Sequence, residues 1–248
     1  PGKVGAAPIQ NIGAYGQELA SVFECADILD TADGSVRTWT AEDCGFSYRD
    51  SRLKRAAGRY LVLRVTLKLR TGGHAEVRYP ELRRRLGMDA GSISPNLKTV
   101  RQAVLSIRRR KGMVCDARDP NSKSAGSFFM NPIVGQAEAD AVFSRLQAGF
   151  AGDLQMPRYP VGDPLSGQCK LSAAWLIDRS GMSPAYVAPE HGGGRVSLSS
   201  KHTLALINRG GASAADLLAF AAHVQARVAD ATGIHLQREP VLLTPTVG

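Results

Sequence analysis

Residues 60–69, YLVLRVTLKL, form the clearest strand pattern in the chain. Apolar and polar side chains alternate over the second half of this stretch, as in a strand with one buried face. The alternation predicts that this face carries Leu61, Leu63, Val65, Leu67 and Leu69, with a strand end at Thr71-Gly-Gly73. Upstream, β-branched residues over 22–40 surround Ala32-Asp33-Gly34, which predicts a β-hairpin.

Residues 95–111 form the strongest helix pattern of the first half. Ser94 is the predicted N-cap and Gly112 the residue that follows the last turn. The apolar stripe of this helix is formed by Val100, Ala103, Val104 and Ile107. Arg108–Lys111 crowd its end, where the helix dipole favours cations.

Further helices are predicted over 137–149 and 170–179, and after Ser213-Ala-Ala-Asp216, which resembles a capping box. Residues 203–208 predict a short apolar strand. Since helices and strands are mixed and partly segregated, the predicted fold class is α+β.

The composition describes a globular chain. The 248 residues suffice for one large domain or two ordinary ones, and the 44% hydrophobic and 21% charged fractions exclude disorder, collagen and coiled coil for the whole chain. We find no membrane span and no signal peptide, and the four cysteines are too dispersed for a zinc-type pair or a disulfide framework. A cytoplasmic protein with reduced thiols is expected, although a start at Pro1 suggests a fragment.

The charge balance of 31 basic and 22 acidic residues, or +9, favours an anionic partner: nucleic acid, a lipid surface or a phosphorylated small molecule. Nucleic acid is the weaker choice because aromatic residues make up only 6% and no nucleic-acid-binding signature is present. The basic residues at 83–85 and 108–111 are, taken alone, solvated helix ends.

Common catalytic fingerprints are absent: there is no GxGxxG, GxxxxGK[ST], HExxH or GxSxG sequence. The histidines, at 74, 191, 202, 223 and 235, show no ligand spacing, so no metal site is predicted.

Three polar strings are unusual. In GFSYRDS, residues 45–51, Arg49 could meet an anion bidentately or form a surface ion pair. In GSFFMNP, residues 126–132, Ser127 lies in an apolar wall, where its hydroxyl is either hydrogen-bonded or used in proton transfer. Glu239-Pro240, taken alone, is an ordinary strand entrance.

Taken together with two further motifs, these three sequences identify a protein family far more specifically than any one of them alone. The chain resembles the UDP-N-acetylenolpyruvoylglucosamine reductase family, also called UDP-N-acetylmuramate dehydrogenase, in its subgroup with a tyrosine loop, here RYPEL at 78–82. The strings occur in order across nearly the whole chain: PIQNIGAYG at 8–16, GFSYRDS at 45–51, GSFFMNP at 126–132, KLSAAWLID at 170–178 and LQREPV at 236–241.

The resemblance implies a flavoenzyme of bacterial peptidoglycan precursor synthesis, in which NADPH reduces FAD and the enolpyruvyl group of a UDP-sugar is then reduced. It implies that Arg49 polarises the enolpyruvyl carboxylate, that Glu239 stabilises its enolate-like form and that Ser127 gives the proton to the adjacent carbon. The enzyme is expected to act as a monomer with this substrate and NADPH, without nucleic acid or membrane.

The resemblance also assigns binding residues. Substrate contacts are implied for Tyr79, Arg108, Lys111, Asn131, Tyr159 and His202. Flavin contacts are implied for Ile9, Gln10, Asn11, Gly13, Tyr15 and Tyr48.

The implied architecture is the C-terminal part of a vanillyl-alcohol-oxidase-type FAD-binding domain at 1–110, an α+β substrate-binding domain at 111–232 and a tail, 233–248, that returns to the flavin lobe. Three features depart from the family. The N-terminal segment with its Gly-Ser-Asn loop is lacking, Arg238 replaces a common proline, and 181–198 does not align cleanly. The alternative is therefore an inactive fragment that only binds a UDP-sugar.

Overall fold

A computed structural model of the chain describes residues 3–72, 75–89, 92–93, 95–150, 152–161 and 166–242. The chain divides into two compact units, residues 1–107 (unit 1) and 108–248 (unit 2). Both contain helices and strands, and the predicted α+β class is confirmed. Among the described helices, none combines the length and hydropathy needed to cross a bilayer.

Unit 1 is built on a three-stranded antiparallel sheet with the order β4-β3-β5. The turn between β3 and β4 falls at the predicted hairpin, where Gly34 has a positive φ of 71°. The regular elements are β1 (Gly13–Ala14), β2 (Gln17–Glu18), β3 (Phe23–Asp30), β4 (Val36–Trp39), α1 (Ala41–Cys44), α2 (Arg52–Arg55), β5 (Tyr60–Leu67), α3 (Pro80–Arg85) and α4 (Leu97–Arg110), with 3₁₀ helices at Val4–Gln10 and Leu19–Ser21.

The predicted apolar face of β5 is wrong over its first half. Asp27 of β3 pairs with Arg64, but Ile28 pairs with Val62, so Leu63 is an extra residue in a β-bulge. Because a one-residue shift exchanges the two faces of a strand, Val62 packs on the core whereas Leu61 and Leu63 are exposed. Beyond the bulge the prediction holds for Val65 and Leu67, which contact the core. The strand ends at Leu67, leaving Leu69 exposed, and Gly73 lies outside the described residues.

Helix α4 forms as predicted but starts two residues later. Its apolar stripe packs in a small core with Val77 and Leu82. Asn96 caps it, since its Oδ1 accepts a hydrogen bond of 2.9 Å from the amide of Thr99; Ser94, the predicted cap, lies outside the described residues. Gly112 follows the last turn with a φ of 68°, as expected for a helix-ending glycine.

Unit 2 contains a three-stranded antiparallel sheet of order β6-β8-β7 and a separate β9-β10 hairpin pair. The prediction of a helix over 170–179 is only partly right, because Ser172 caps a helix that begins at Ala173 and the residues before it form a strand. The regular elements are β6 (Ile133–Gly135), α5 (Gln136–Ala148), β7 (Arg158–Pro160), β8 (Gln168–Leu171), α6 (Ala173–Arg179), β9 (Val196–Leu198), β10 (Leu206–Asn208) and α7 (Ala214–Thr232), with 3₁₀ helices at Pro120–Ser122 and Gly192–Gly194.

The long helix α7 organises the core of unit 2. Phe220, Val224 and Val228, at helical spacing, are fully buried among residues of α5, α6, β9 and β10. The predicted capping box is confirmed: Ser213 Oγ accepts from the Asp216 amide and the Asp216 carboxylate accepts from the Ser213 amide. Burial of each of these large apolar side chains stabilises the unit by about 1.5–3 kcal/mol.

Candidate functional site

The turn that carries Arg49 is tightly held in unit 1. Ser47 and Asp50 exchange backbone hydrogen bonds of 3.0 and 3.2 Å, which leaves Tyr48 and Arg49 at the tip. Arg49 adopts a φ of 56°, its guanidinium lies 5.2 Å from the centre of the Tyr48 ring, and its Nη2 donates to the carbonyl of Gly13 at 2.8 Å. The guanidinium is therefore fixed on the β1–β2 loop.

Gly13 makes this contact possible. A Cβ at this position would lie 2.8 Å from the carbonyl oxygen of Gln17 and 3.3 Å from Nη1 of Arg49. Only glycine lets β1 approach β2 and the arginine so closely.

Backbone strain concentrates on the candidate residues of unit 1. Among the described residues, non-glycine residues with positive φ are Asn11, Tyr15, Arg49 and Ala185, and the first three were singled out from the sequence. Such conformations cost free energy and persist where the surrounding structure requires them, which is typical of binding loops.

Asn11 holds this loop together through its side chain. It is 1% exposed, its Oδ1 accepts from the amide of Ala20 at 2.9 Å, and its Nδ2 donates to Glu18 Oε2 and the Ser47 carbonyl at 3.2 and 3.1 Å. Because these bonds join β2 and the 3₁₀ helix after it to the Arg49 turn, Asn11 positions its neighbours with its side chain.

The other candidate residues of segments 8–16 and 78–82 also belong to unit 1. Gln10 Oε1 is 3.4 Å from Lys54 Nζ, and that amine donates to the Arg49 carbonyl at 2.8 Å. Tyr15 and Tyr79 meet edge to face, with ring centroids 5.4 Å apart. Ile9 is exposed, so its apolar side chain remains available for contact.

In unit 2, the extended segment 127–131 carries Ser127 and Asn131 and pairs with the segment that contains Glu239. Ser127 forms a β-bridge with Ala205 and Phe129 forms one with Arg238. The amide of Glu239 donates to the Phe128 carbonyl at 2.9 Å, so Ser127 and Glu239 lie on adjacent paired segments. Both residues are half-buried: Ser127 is more accessible than the shielded serine expected from its sequence.

Asn131 and Tyr159 lie at either side of β8. Asn131 Oδ1 accepts from the Ala173 amide at 2.9 Å, at the start of α6. Tyr159 of β7 is exposed and faces Lys170 of β8 in the strand register. Lys170 belongs to the KLSAAWLID string but was not singled out from the sequence.

The chain segments next to Lys111 and His202 both approach one buried side chain, that of Asn121. Arg108 Nη2 donates to the Met113 carbonyl at 2.9 Å, and Gly112 approaches Asn121 so closely that a Cβ would lie 2.7 Å from its side chain. Asn121 Oδ1 accepts from Ser199 Oγ at 2.8 Å and the Ser200 amide at 2.9 Å, two residues before His202. The sequence marked Asn121 only as part of a turn.

The structure therefore groups the candidates of each unit. Ile9, Gln10, Asn11, Gly13, Tyr15, Tyr48, Arg49 and Tyr79 belong to unit 1, and the remaining ones belong to unit 2. The convergence of Arg49 with Ser127 and Glu239 stays a prediction, as do the domain limits at 110 and 232. The described part of the tail, 233–242, hydrogen-bonds within unit 2 through the Met130 amide and the Gln237 carbonyl, 2.9 Å apart.

Sequence reasoning missed one further cluster. His191 and His223, which show no ligand spacing along the chain, stack with ring centroids 4.5 Å apart in unit 2. Glu190 lies beside them. Only a pairing between a loop and a distant helix brings these side chains together. His74 lies outside the described residues.

Comparisons with known proteins agree on one family. The family model described as UDP-N-acetylenolpyruvoylglucosamine reductase, C-terminal domain, matches residues 119–243. The enzyme of that name from Saccharopolyspora erythraea is 49% identical over 98% of this chain and 64% of its own length. The one from Thermobifida fusca is 46% identical over 100% of this chain and 67% of its own length. The chain thus spans about two thirds of the length of these relatives.

A solved structure supports the same fold. The crystal structure of UDP-N-acetylenolpyruvylglucosamine reductase from Thermus caldophilus matches with a TM-score of 0.53 at 24% sequence identity. The match covers 96% of this chain and 59% of that protein.

Proposed function

Because the chain belongs to the UDP-N-acetylenolpyruvoylglucosamine reductase family, we propose that the protein reduces the enolpyruvyl group of UDP-N-acetylglucosamine enolpyruvate to UDP-N-acetylmuramate. The reaction would serve peptidoglycan precursor synthesis in the cytoplasm, with FAD and NADPH as cofactors. The observation that carries the proposal is the pairing of segment 127–129 with Ala205 and with residues 238–239. This pairing places the backbone of Glu239 opposite Phe128, the residue after Ser127. The family resemblance assigns Ser127 and Glu239 to one reaction.

The residues of unit 1 fit the ring system of a flavin. A shallow depression of about 370 Å³ is lined by Ile12, Gly13, Ala14, Gln17, Glu18, Leu19, Ser21 and Val22. This lining is mainly apolar, which suits a flat aromatic ring. Since no basic side chain is among these described residues, the pyrophosphate would be bound elsewhere. Ile9, Gln10, Asn11, Gly13, Tyr15 and Tyr48 would hold the cofactor, Asn11 by ordering the loop.

When bound, FAD reduced by NADPH would supply the hydride for the substrate's double bond. The residues of the chain would then stabilise the resulting negative charge. Reduction of the terminal methylene places negative charge on the carbon next to the carboxylate. The guanidinium of Arg49 would bind that carboxylate and interact more strongly as charge develops, which lowers the barrier. Its anchoring on the Gly13 carbonyl keeps the guanidinium in place before the reaction.

Ser127 and Glu239 would complete the reaction of the three-carbon acid. Ser127 Oγ gives its proton to the carbon beside the carboxylate, for which a weak acid suffices because the carbanion is strongly basic. Glu239 would stabilise the enol-like form of that carboxylate. The half-buried environment of both residues limits water while leaving access for substrate.

The sugar nucleotide would be bound by the remaining candidates. Arg108 and Lys111 supply cations for the diphosphate, and Asn131, Tyr159 and His202 supply polar contacts to sugar and nucleotide. Tyr79, held against Tyr15, would close over the substrate. The net charge of +9 accords with such an anionic ligand. We further propose that the protein acts as a monomer, without nucleic acid or membrane partners.

The test separates the two half-reactions in the complete gene product. In Ser127→Ala, NADPH should still reduce the bound flavin, whereas reoxidation by the enolpyruvyl substrate should slow by about 10²–10⁴-fold, the usual effect of losing a general acid. Ser144→Ala, on the exposed side of α5, is the matched control and should behave as the wild type.

Two results would overturn the proposal. Reoxidation of Ser127→Ala at the wild-type rate would remove the serine as proton donor. A wild-type protein that binds the UDP-sugar but shows no flavin absorbance would establish the alternative, a UDP-sugar binding module.

A further inference from the structure

Three side chains of types that can ligate a metal ion lie together in unit 2. They are Glu190, His191 and His223, and one ligand atom from each lies within 4.8 Å of the other two. Glu190 is exposed and both histidines are half-buried, so the cluster is open to solvent on one side. None of the three residues takes part in the proposed reduction.

The two elements that carry these ligands are firmly attached to each other. His223 lies on α7 seven residues after Asp216, so the two share one helix face. Gly192, directly after His191, approaches the helix so closely that a Cβ would lie 2.8 Å from the Asp216 carbonyl oxygen. Arg195 then donates two hydrogen bonds to the Asp216 carboxylate, at 3.1 and 2.7 Å. The loop is thus anchored to α7 at the first residue of the 3₁₀ turn and directly after the turn.

The ring of His223 is also held in orientation. Tyr186 Oη lies 2.9 Å from Nε2 of His223, and the two rings are parallel within 3°. A hydroxyl on one ring nitrogen leaves the other nitrogen for an ion. Metal-bound histidines commonly have such an oxygen partner, which fixes the tautomer and the ring orientation.

From this geometry we propose that Glu190, His191 and His223 bind a divalent transition metal ion of the zinc class. Two imidazoles and one carboxylate form a donor set that suits Zn²⁺ and leaves a fourth position for water. Ligand atoms of a tetrahedral zinc site lie about 3.4 Å apart, so the cluster contracts modestly when it binds the ion. The ion would link the loop of residues 188–194 to α7 and does not depend on the proposed reductase activity.

Zinc binding by the purified complete protein tests the proposal. Isothermal titration calorimetry with ZnCl₂ in a Cys115→Ser background, which removes the exposed thiol, should show one equivalent bound per chain. That binding should be lost in His191→Ala and in His223→Ala. His235→Ala, which changes an exposed histidine of the same unit, should retain it. Tyr186→Phe should weaken binding about 10–100-fold through loss of the oxygen partner.

A second measurement guards against variants that fold poorly. Zn²⁺ should raise the thermal unfolding midpoint of the wild type and of His235→Ala but not that of His223→Ala, because an ion that binds only the folded state stabilises it. The proposal is overturned if the wild type binds no zinc. It is equally overturned if a well-folded His191→Ala, His223→Ala double variant binds zinc as the wild type does.

Discussion

The amide nitrogen of Glu239 donates a hydrogen bond of 2.9 Å to the carbonyl oxygen of Phe128. This bond, with the bridge between Phe129 and Arg238, aligns the C-terminal segment beside Ser127. A backbone pairing of this kind fixes the two chain segments relative to each other without using side-chain polar atoms.

Replacing Glu239 by glutamine should impair the reaction without disturbing this pairing. The backbone bond remains, whereas the carboxyl group that we assign to the enol-like carboxylate is lost. We expect kcat to fall about 10²–10³-fold with little change in KM, since the interaction acts in the transition state. Steady-state kinetics of the complete gene product measure both constants. Glu138→Gln, an exposed change in α5, should leave them unaltered, and equal kinetics of the two variants would contradict the role of Glu239.

Asn11→Ala should destabilise unit 1. The change leaves the Ala20 amide and the Ser47 carbonyl without their partner and places alanine at a φ of 43°. We expect a loss of about 2–4 kcal/mol in the free energy of unfolding. Urea unfolding followed by the fluorescence of Trp39, in a Trp175→Phe background, reports on this unit. Gln102→Ala, exposed on α4, should change stability by less than about 0.5 kcal/mol, and a similar value for Asn11→Ala would refute the expectation.

Asp216 should make stability depend on acid pH. Hydrogen bonds from Arg195 and then from Ser213 hold the pKa of this carboxyl well below its usual range. A depressed pKa means that the unfolded chain binds the proton more readily, so the contribution is present above pH ~4 and is lost as the pH falls below it. When the pH is lowered from about 5 to about 2, the midpoint of urea unfolding should fall more for the wild type than for Asp216→Asn.

The matched control for this comparison is Asp230→Asn, an exposed change on the same helix. Its urea midpoint should follow the wild-type pH profile. If Asp216→Asn also follows that profile, the capping carboxylate does not contribute as argued.

The cysteines should differ sharply in reactivity. Burial and the nearby Asp43 raise the pKa of the Cys44 thiol to about 11, and this side chain is fully buried. The thiolate is the reactive form. Iodoacetamide at neutral pH should therefore label the exposed Cys115 in the native protein and should reach Cys44 and Cys169 only after denaturation. Peptide mass spectrometry gives the order in which the cysteines are labelled. Labelling of Cys44 in the native protein at the rate of Cys115 would contradict its burial in the core of unit 1.

The fold class and most of the elements were predictable because they rest on local patterns. The β3–β4 hairpin, the apolar stripe of α4 and the capping box of α7 each depend on residues close in the chain. Which face of β5 is exposed could not be predicted. The bulge at Leu63 arises because β5 pairs with Asp27 and Ile28 of another strand. The start of α6 was placed too early for a related reason: Lys170 and Leu171 pair with β6 and β7.

The candidate site divides in the same way. The sequence motifs identified Arg49, Ser127 and Glu239 as candidate catalytic residues, because each motif can be matched to the family by its local order of residues. The motifs did not predict that the Asn11 side chain hydrogen-bonds to Ala20, Glu18 and Ser47. They also did not predict that Asn121 orders the loop before His202.

By itself, the amino-acid order determined the α+β class, the positions of the turns and caps, and the residue types capable of catalysis. Hydrophobic periodicity and local hydrogen bonding are encoded over a few neighbouring residues, and they need no knowledge of the rest of the chain. Only the tertiary structure decided that Glu239 lies beside Ser127 and that His191 stacks on His223. Those contacts join residues far apart in the chain, and their positions follow from the packing of whole strands and helices on a shared core.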